Sequence, residues 1–277
     1  VETLTISNSK EDTEYDLGAI SMTASSGGAT TVNFVGSKNA NANAITAQTI
    51  DASGLTGSAT FTMDNAAVTV TTITGSANAD TLIGDAASTI SGMAGNDTIT
   101  GGAGNDVLNA GGGDDQITIA AGKDTVDAGA GDDTVVVAAN LTFDDVSLDG
   151  GEGTDILSTT SAHALTISGY SVANKATLDA LVTNFETLTL STAFDDDFAM
   201  DDLFNLSTIV LDGTDSVAND QTITKVVDAT TLQYNEQASA AADTITLTMA
   251  SATGSADSLT LKLAEDTTGA TASNDKI

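Results

Sequence analysis

The chain has no cysteine, no proline and no arginine, and its seven lysines face 39 acidic residues. Without cysteine no disulfide holds the fold, so another constraint must take that place. So few basic residues leave little to bind phosphate or release counterions, which argues against a nucleic-acid partner. No run of 18 or more apolar residues exists, so no helical membrane span is expected. The single histidine, His163, rules out a His-Glu-x-x-His zinc site and is expected to be solvated or packed. A Gly-x-Ser-x-Gly elbow and a phosphate-cradling Gly-x-x-x-x-Gly-Lys loop are also missing. Acid pairs are too abundant for any one of them to point to glycosidase chemistry. Nothing in this segment supports catalysis. The chain opens at Val1 with no signal-peptide pattern, and it is expected to be a fragment of a longer protein.

What is present is charge of one sign. A formal net charge of −32 would suit a disordered chain, but 40% of the residues are hydrophobic and many are β-branched. Self-repulsion at this level opposes compaction. Hard divalent cations held by oxygen ligands would relieve it.

Composition divides the chain into residues 1–74, 75–158 and 159–277. The first stretch is rich in Thr, Ser, Ala and Asn, with short alternations at Leu4–Ser7, Thr60–Met63 and Val68–Val70. Alternating β-branched residues suit half-buried strands. The last stretch returns to that style, with strand candidates at Leu165–Ser168, Glu186–Leu190, Thr208–Leu211, Thr222–Val227, Thr244–Met249 and Ser258–Leu263. Their recurrence is in the range of solenoid repeats. One helix is expected over Asn174–Phe185, where Leu178, Leu181, Val182 and Phe185 share a helical face and Asn174 is a plausible N-cap. The fold class is therefore all-β, a parallel β-solenoid with at most one short helix.

The middle stretch holds 16 of the 26 glycines and repeats a nine-residue phrase, five units without a gap from Gly92 to Val136. Its clearest copy is Gly101-Gly102-Ala103-Gly104-Asn105-Asp106-Val107-Leu108-Asn109, which fits Gly-Gly-x-Gly-x-Asp-x-apolar-x. Aspartate fills the sixth slot at Asp80, Asp97, Asp106, Asp115, Asp124 and Asp133, and again in a later copy at Asp155. The eighth slot of the same units is Leu82, Ile99, Leu108, Ile117, Val126, Val135 and Leu157. Glycines at Gly95, Gly102, Gly104, Gly113, Gly122, Gly131, Gly151 and Gly153 permit positive φ and let backbone carbonyls turn toward an ion. Aspartate supplies a hard anionic oxygen, and the apolar residue two positions later points inward from a short strand.

Two units make one coil of 18 residues, so equivalent aspartates stack. Asp97, Asp115 and Asp133 fall on one edge, Asp106 and Asp124 on the other. At a coil spacing of about 4.8 Å, stacked carboxylates repel by about 3.5 kcal/mol at an effective dielectric near 20. Calcium between coils reverses the sign, and magnesium's stricter octahedral demand suits the site less. The pairs Asp80/Asp97, Asp97/Asp115, Asp106/Asp124 and Asp115/Asp133 imply at least four ions. Two units are imperfect. Gly84–Ser91 is one residue short and puts Ser88 in the aspartate slot. Ile119–Asp124 lacks the first glycines, while Lys123 is acceptable where only backbone is needed. Asp195, Asp196, Asp197, Asp201 and Asp202 read as a solvated acidic face, and Asp144, Asp145 and Asp149 stay open between metal and solvent.

These repeats resemble the RTX (repeats-in-toxin) calcium-binding family. The resemblance implies a right-handed parallel β-roll, calcium-induced folding and type I secretion in an unfolded state. A broader resemblance is to RTX-type bacterial surface-layer (S-layer) proteins of the Caulobacter type, through Ile50–Gly57, Asn184–Leu188 and Leu247–Leu261. The chain departs from them in its heavier acidity. The expected role is a non-enzymatic, calcium-stabilised segment of an extracellular cell-surface lattice. Its partners would be copies of itself and a cell-surface polysaccharide reached through a region outside the fragment. The rivals are the folding and secretion module of an exoenzyme or toxin, and an adhesin or biofilm matrix protein.

Overall fold

The computed structural model of the protein describes residues 2–8, 14–21, 29–57, 60–63, 70–84, 87–137, 146–160, 172–191, 198–199, 206–211, 221–226, 231–234, 245–249 and 260–263. The chain forms two compact units. One comprises Val1–Leu157 with Ala176–Phe185, the other Ser158–Lys175 with Glu186–Ile277.

In the first unit, successive strands alternate between two sheets. One sheet stacks Glu2–Asn8, Thr30–Gly36, Thr49–Leu55, Thr72–Thr74, Thr89–Ala94, Val107–Gly112, Thr125–Ala130, Ser147–Asp149 and Val182–Thr183 in that order. The other stacks Glu14–Ser21, Asn39–Thr46, Phe61–Met63, Thr81–Ile83, Thr98–Thr100, Gln116–Ile119 and Thr134–Val137, then Ile156–Thr159. All described strand pairs are parallel, including Thr98 beside Gln116 and Val107 beside Thr125. A chain that gives one strand to each sheet per turn, always parallel, is a solenoid.

The period of two within each rung builds the core. Ile73, Ile90, Leu108, Val126 and Leu148 align in one sheet. Leu82, Ile99, Ile117 and Val135 align in the other. All nine are buried, as is Leu157. Each such side chain contributes roughly 1.5–3 kcal/mol on full burial. The first sheet's column continues backward through Ile50 and Val32, so the Thr-rich rungs and the glycine-rich rungs share one core. Phe34 and Phe61 fill it where the coils are longer, with ring centroids 4.9 Å apart.

The second unit repeats the scheme. Leu188, Ile209, Leu232 and Leu261 stand in register on the parallel strands Thr187–Leu190, Thr208–Leu211, Thr231–Tyr234 and Thr260–Leu263. Phe198–Ala199, Gln221–Val226 and Ile245–Met249 form a separate three-stranded sheet.

Most of the expected strands are present, with shifted ends. The exceptions are Leu165–Ser168 and Val68–Thr69, which lie outside the described residues, as do His163, Asp144, Asp145, Asp195–Asp197, Asp201 and Asp202; Val70 is described, but outside a strand. The one helix among the described residues is Val172–Leu181. It starts two residues before Asn174, so Asn174 sits within the first turn and is not the N-cap. It also stops short of Phe185, because Val182 leaves the helical path to pair with Leu148 as a strand. Burial against the sheet overrides the helical spacing there. No helix among the described residues is long and apolar enough to cross a membrane.

Candidate metal centre

The turns that join the two sheets bring the sixth-slot residues into two columns. Along one edge run Asp80, Asp97, Asp115, Asp133 and Asp155. The backbone N–H of each donates to Oδ1 of the next, at 2.8, 2.6, 2.7 and 2.8 Å. Along the other run Ser88, Asp106 and Asp124, joined in the same way at 2.7 and 2.9 Å. Asp155 follows Asp133 by 22 residues rather than 18, yet takes the next place in its column. All seven aspartates are buried.

Each Oδ1 is therefore occupied, and the question passes to Oδ2. In Asp97, Asp106, Asp115, Asp124 and Asp133 that oxygen is buried and has no hydrogen-bond partner. Buried polar atoms are almost always satisfied, so five orphans at one repeating position need an explanation. Beside Asp97 the space is bounded by oxygen. A methyl group placed on Gly92 would run into Asp97 Oδ2 and the Ala110 carbonyl oxygen. An anionic oxygen and a carbonyl oxygen around one small space are the donors a hard cation takes. Among the described residues no three acidic or histidine side chains converge. A cation here would draw most of its ligands from backbone carbonyls.

The electrostatics agree. Burial pushes the Asp97 carboxyl up to about 7, with the charges of Asp80 and Asp115 adding to the rise. Asp133 is likewise raised to about 7, by burial first and then by Asp115, Asp155 and Asp114. Burial raises Asp106 and Asp115 to about 6, and raises Asp80 and Asp124 as well. Loss of hydration is thus the largest cause of each rise, ahead of repulsion between stacked carboxylates. The amide ladder acts against both, because each hydrogen bond favours the charged carboxylate. A hydrogen bond to a charged group is worth about 1.5–3 kcal/mol, which offsets much of the roughly 3.5 kcal/mol of pairwise repulsion.

The eight glycines singled out from the sequence all have positive φ, from 95° at Gly151 to 148° at Gly153. In the imperfect unit, Ile119 is buried and Ala120 is not among the positive-φ residues, yet Gly122 keeps φ at 141° and Asp124 keeps its place in the column. Met93 occupies a second-slot position at φ 84° with 46% of its surface exposed. A left-handed conformation costs a side-chain-bearing residue about 1–2 kcal/mol, against roughly 0.5–1 kcal/mol of extra entropy lost by glycine. Met93→Gly should therefore raise the unfolding free energy by about 0.5 kcal/mol. Urea titration in saturating calcium checks this, and a lower midpoint would contradict it.

A second ladder went unread in the sequence. At the fifth slot, Asn96 Oδ1 accepts from the Asp114 amide, Asp114 from Asp132 and Asp132 from Thr154, at 3.0, 3.0 and 2.9 Å. Asn105 does the same for Lys123 at 2.9 Å. The recurrence of Asn and Asp at that slot was the available signal. Lys123 joins this ladder through its backbone amide, and its side chain, having no acceptor, does not extend it. Asp149 lies on a strand and accepts from Asn184 Nδ2 at 2.7 Å.

The geometry defines a class: a parallel β-roll with carboxylate columns on its edges and oxygen-lined turns between rungs. Residues 84–117 and 120–138 match the RTX calcium-binding nonapeptide repeat, in four copies. The roll is thus built of repeats of a calcium-binding kind, and several such repeats imply several calcium ions. No curated protein matches the chain significantly.

Proposed function

We propose that this chain is a calcium-stabilised structural segment of a secreted bacterial surface-layer protein. The observation that carries the reading is the shared core. The calcium-type rungs continue the same two sheets as the Thr-rich rungs before them, from Val32 through Ile50 and Ile73 to Ile90. A roll built into a longer solenoid is a stiff element of a scaffold. The ligands we assign are the carboxylates of Asp97, Asp106, Asp115, Asp124, Asp133 and Asp155, with carbonyls of the glycine turns around Gly95, Gly102, Gly104, Gly113, Gly122, Gly131, Gly151 and Gly153. At least four calcium ions would neutralise the buried charge. The residual acidity, at a net charge of −32 before any ion binds, would let further calcium bridge neighbouring copies. Export by type I secretion and anchoring to a surface polysaccharide belong to the same reading.

Electron microscopy and light scattering of the purified chain in millimolar calcium test it. Sheets or ordered arrays that dissolve on chelation are expected. A monomer at every calcium concentration overturns the lattice role and favours a folding module for an exported enzyme or toxin.

A further inference from the structure

Asp80 differs from Asp97, Asp115 and Asp133 in its column. Its Oδ2 accepts the Ser76 amide at 2.5 Å, and its Oδ1 accepts both the Ser76 hydroxyl at 3.0 Å and the Phe61 amide at 2.6 Å. Three protein donors thus surround a carboxylate whose equivalents at Asp97, Asp115 and Asp133 each keep a bare Oδ2. What sets it apart is the second slot of the repeat, where Ser76 brings both an amide and a hydroxyl to the carboxylate. Gly102, Gly111, Gly129 and Gly151 take positive φ there, whereas this unit has Ser76, wholly buried and without positive φ. The fourth slot departs too, with Asn78 where the units from Gly92 onward have glycine. Its amide donates to Ser76 Oγ at 3.2 Å, which fixes the hydroxyl beside the carboxylate.

Resting on the calcium reading above, we propose that Ser76 takes the cation's place at the Asp80 rung, so that this edge binds calcium only from Asp97 onward. The Asp80 rung is then complete without metal. It still presents its own amide to Asp97 Oδ1 at 2.8 Å. The calcium-dependent rungs therefore stack on a ready-made edge, and the column has a metal-independent end. This revises the expected sharing of an ion by Asp80 and Asp97.

Counting bound calcium on the full chain by native mass spectrometry and equilibrium dialysis tests the proposal. Asp97→Asn should lower the count by at least one. Asp80→Asn should leave it unchanged while lowering the melting temperature in saturating calcium. The double variant Ser76→Gly with Asn78→Gly, which restores glycine at both turn slots, should bind one more calcium than the wild type. It decides the matter even if Asp80→Asn fails to fold. Loss of an ion in Asp80→Asn, or no gain in the double variant, overturns the proposal while leaving the calcium roll intact. A wild type that binds no calcium overturns the functional reading and this inference together.

Discussion

Dialysis against EGTA at pH 8 should abolish most of the β-sheet circular dichroism of the roll, and millimolar calcium should restore it. An uncompensated buried charge costs about 3–5 kcal/mol, and a domain is stable by roughly 5–15 kcal/mol in all. The five bare Oδ2 atoms are therefore more than the fold tolerates at a pH where every carboxyl is ionised. Protons are the alternative neutraliser. Burial raises Asp97 and Asp133 from 3.8 to about 7, and Asp106 and Asp115 to about 6. The metal-free folded chain then binds more protons than the unfolded chain between about pH 4 and 7. Its stability rises as pH falls through that window and is lost as pH rises through the folded values. EGTA-treated protein should retain more structure at pH 5 than at pH 8. The apparent calcium affinity should move the opposite way, because protons compete for the same oxygens. Equal structure in EGTA at both pH values, or a fold indifferent to chelation at pH 8, contradicts this account.

The roll was legible in the sequence because two linked slots keep their register. An aspartate and an apolar residue two positions on recur with period nine, and that alone places Ile99, Ile117 and Val135 in one column and Leu108 and Val126 in another. The Thr-rich rungs were legible as strands of a solenoid, but their register was not. Thr3 pairs with Thr31, Thr31 with Thr49 and Thr49 with Thr72, so coil length varies and no fixed period reveals the register. Asp155 was legible as a sixth-slot aspartate, but its place next to Asp133 in the column was not, since a coil of 22 residues precedes it. A slot pattern shows where carboxylates stack, but whether an amide reaches Oδ1 or a serine reaches Oδ2 depends on turn conformation. Ser76 and Ser88 show the difference. Both are small polar departures from the repeat, yet Ser88 holds an aspartate's position in a column and Ser76 satisfies the aspartate beside it.

Adjacent glycines in one turn should respond oppositely to a single methyl group. Gly113 has φ 134°, and an added Cβ would collide with the backbone carbonyl of Gly95 on the preceding rung. That carbonyl belongs to the stack and has nowhere to retreat. The Gly113 amide donates to the Ala130 carbonyl at 2.8 Å, and Gly95 donates to Gly112 at 2.7 Å, so the turns on three rungs are tied together. Gly113→Ala should therefore cost about 2–4 kcal/mol in saturating calcium, combining backbone strain with overpacking. It should also weaken calcium binding, because Asp115 lies two residues on and moves with the turn. At Gly112 a Cβ would meet nothing nearer than the Ala130 carbonyl oxygen at 4.0 Å, and φ is not positive. Gly112→Ala should be neutral or stabilise by up to about 1 kcal/mol through the unfolded chain. Thermal and urea melts of both variants with calcium, with calcium titrations alongside, make the comparison. Similar losses in the two would mean that composition sets these turns. A large loss confined to Gly113 would mean that the close approach of successive backbones, which only glycine permits, holds the carboxylates where a cation is needed.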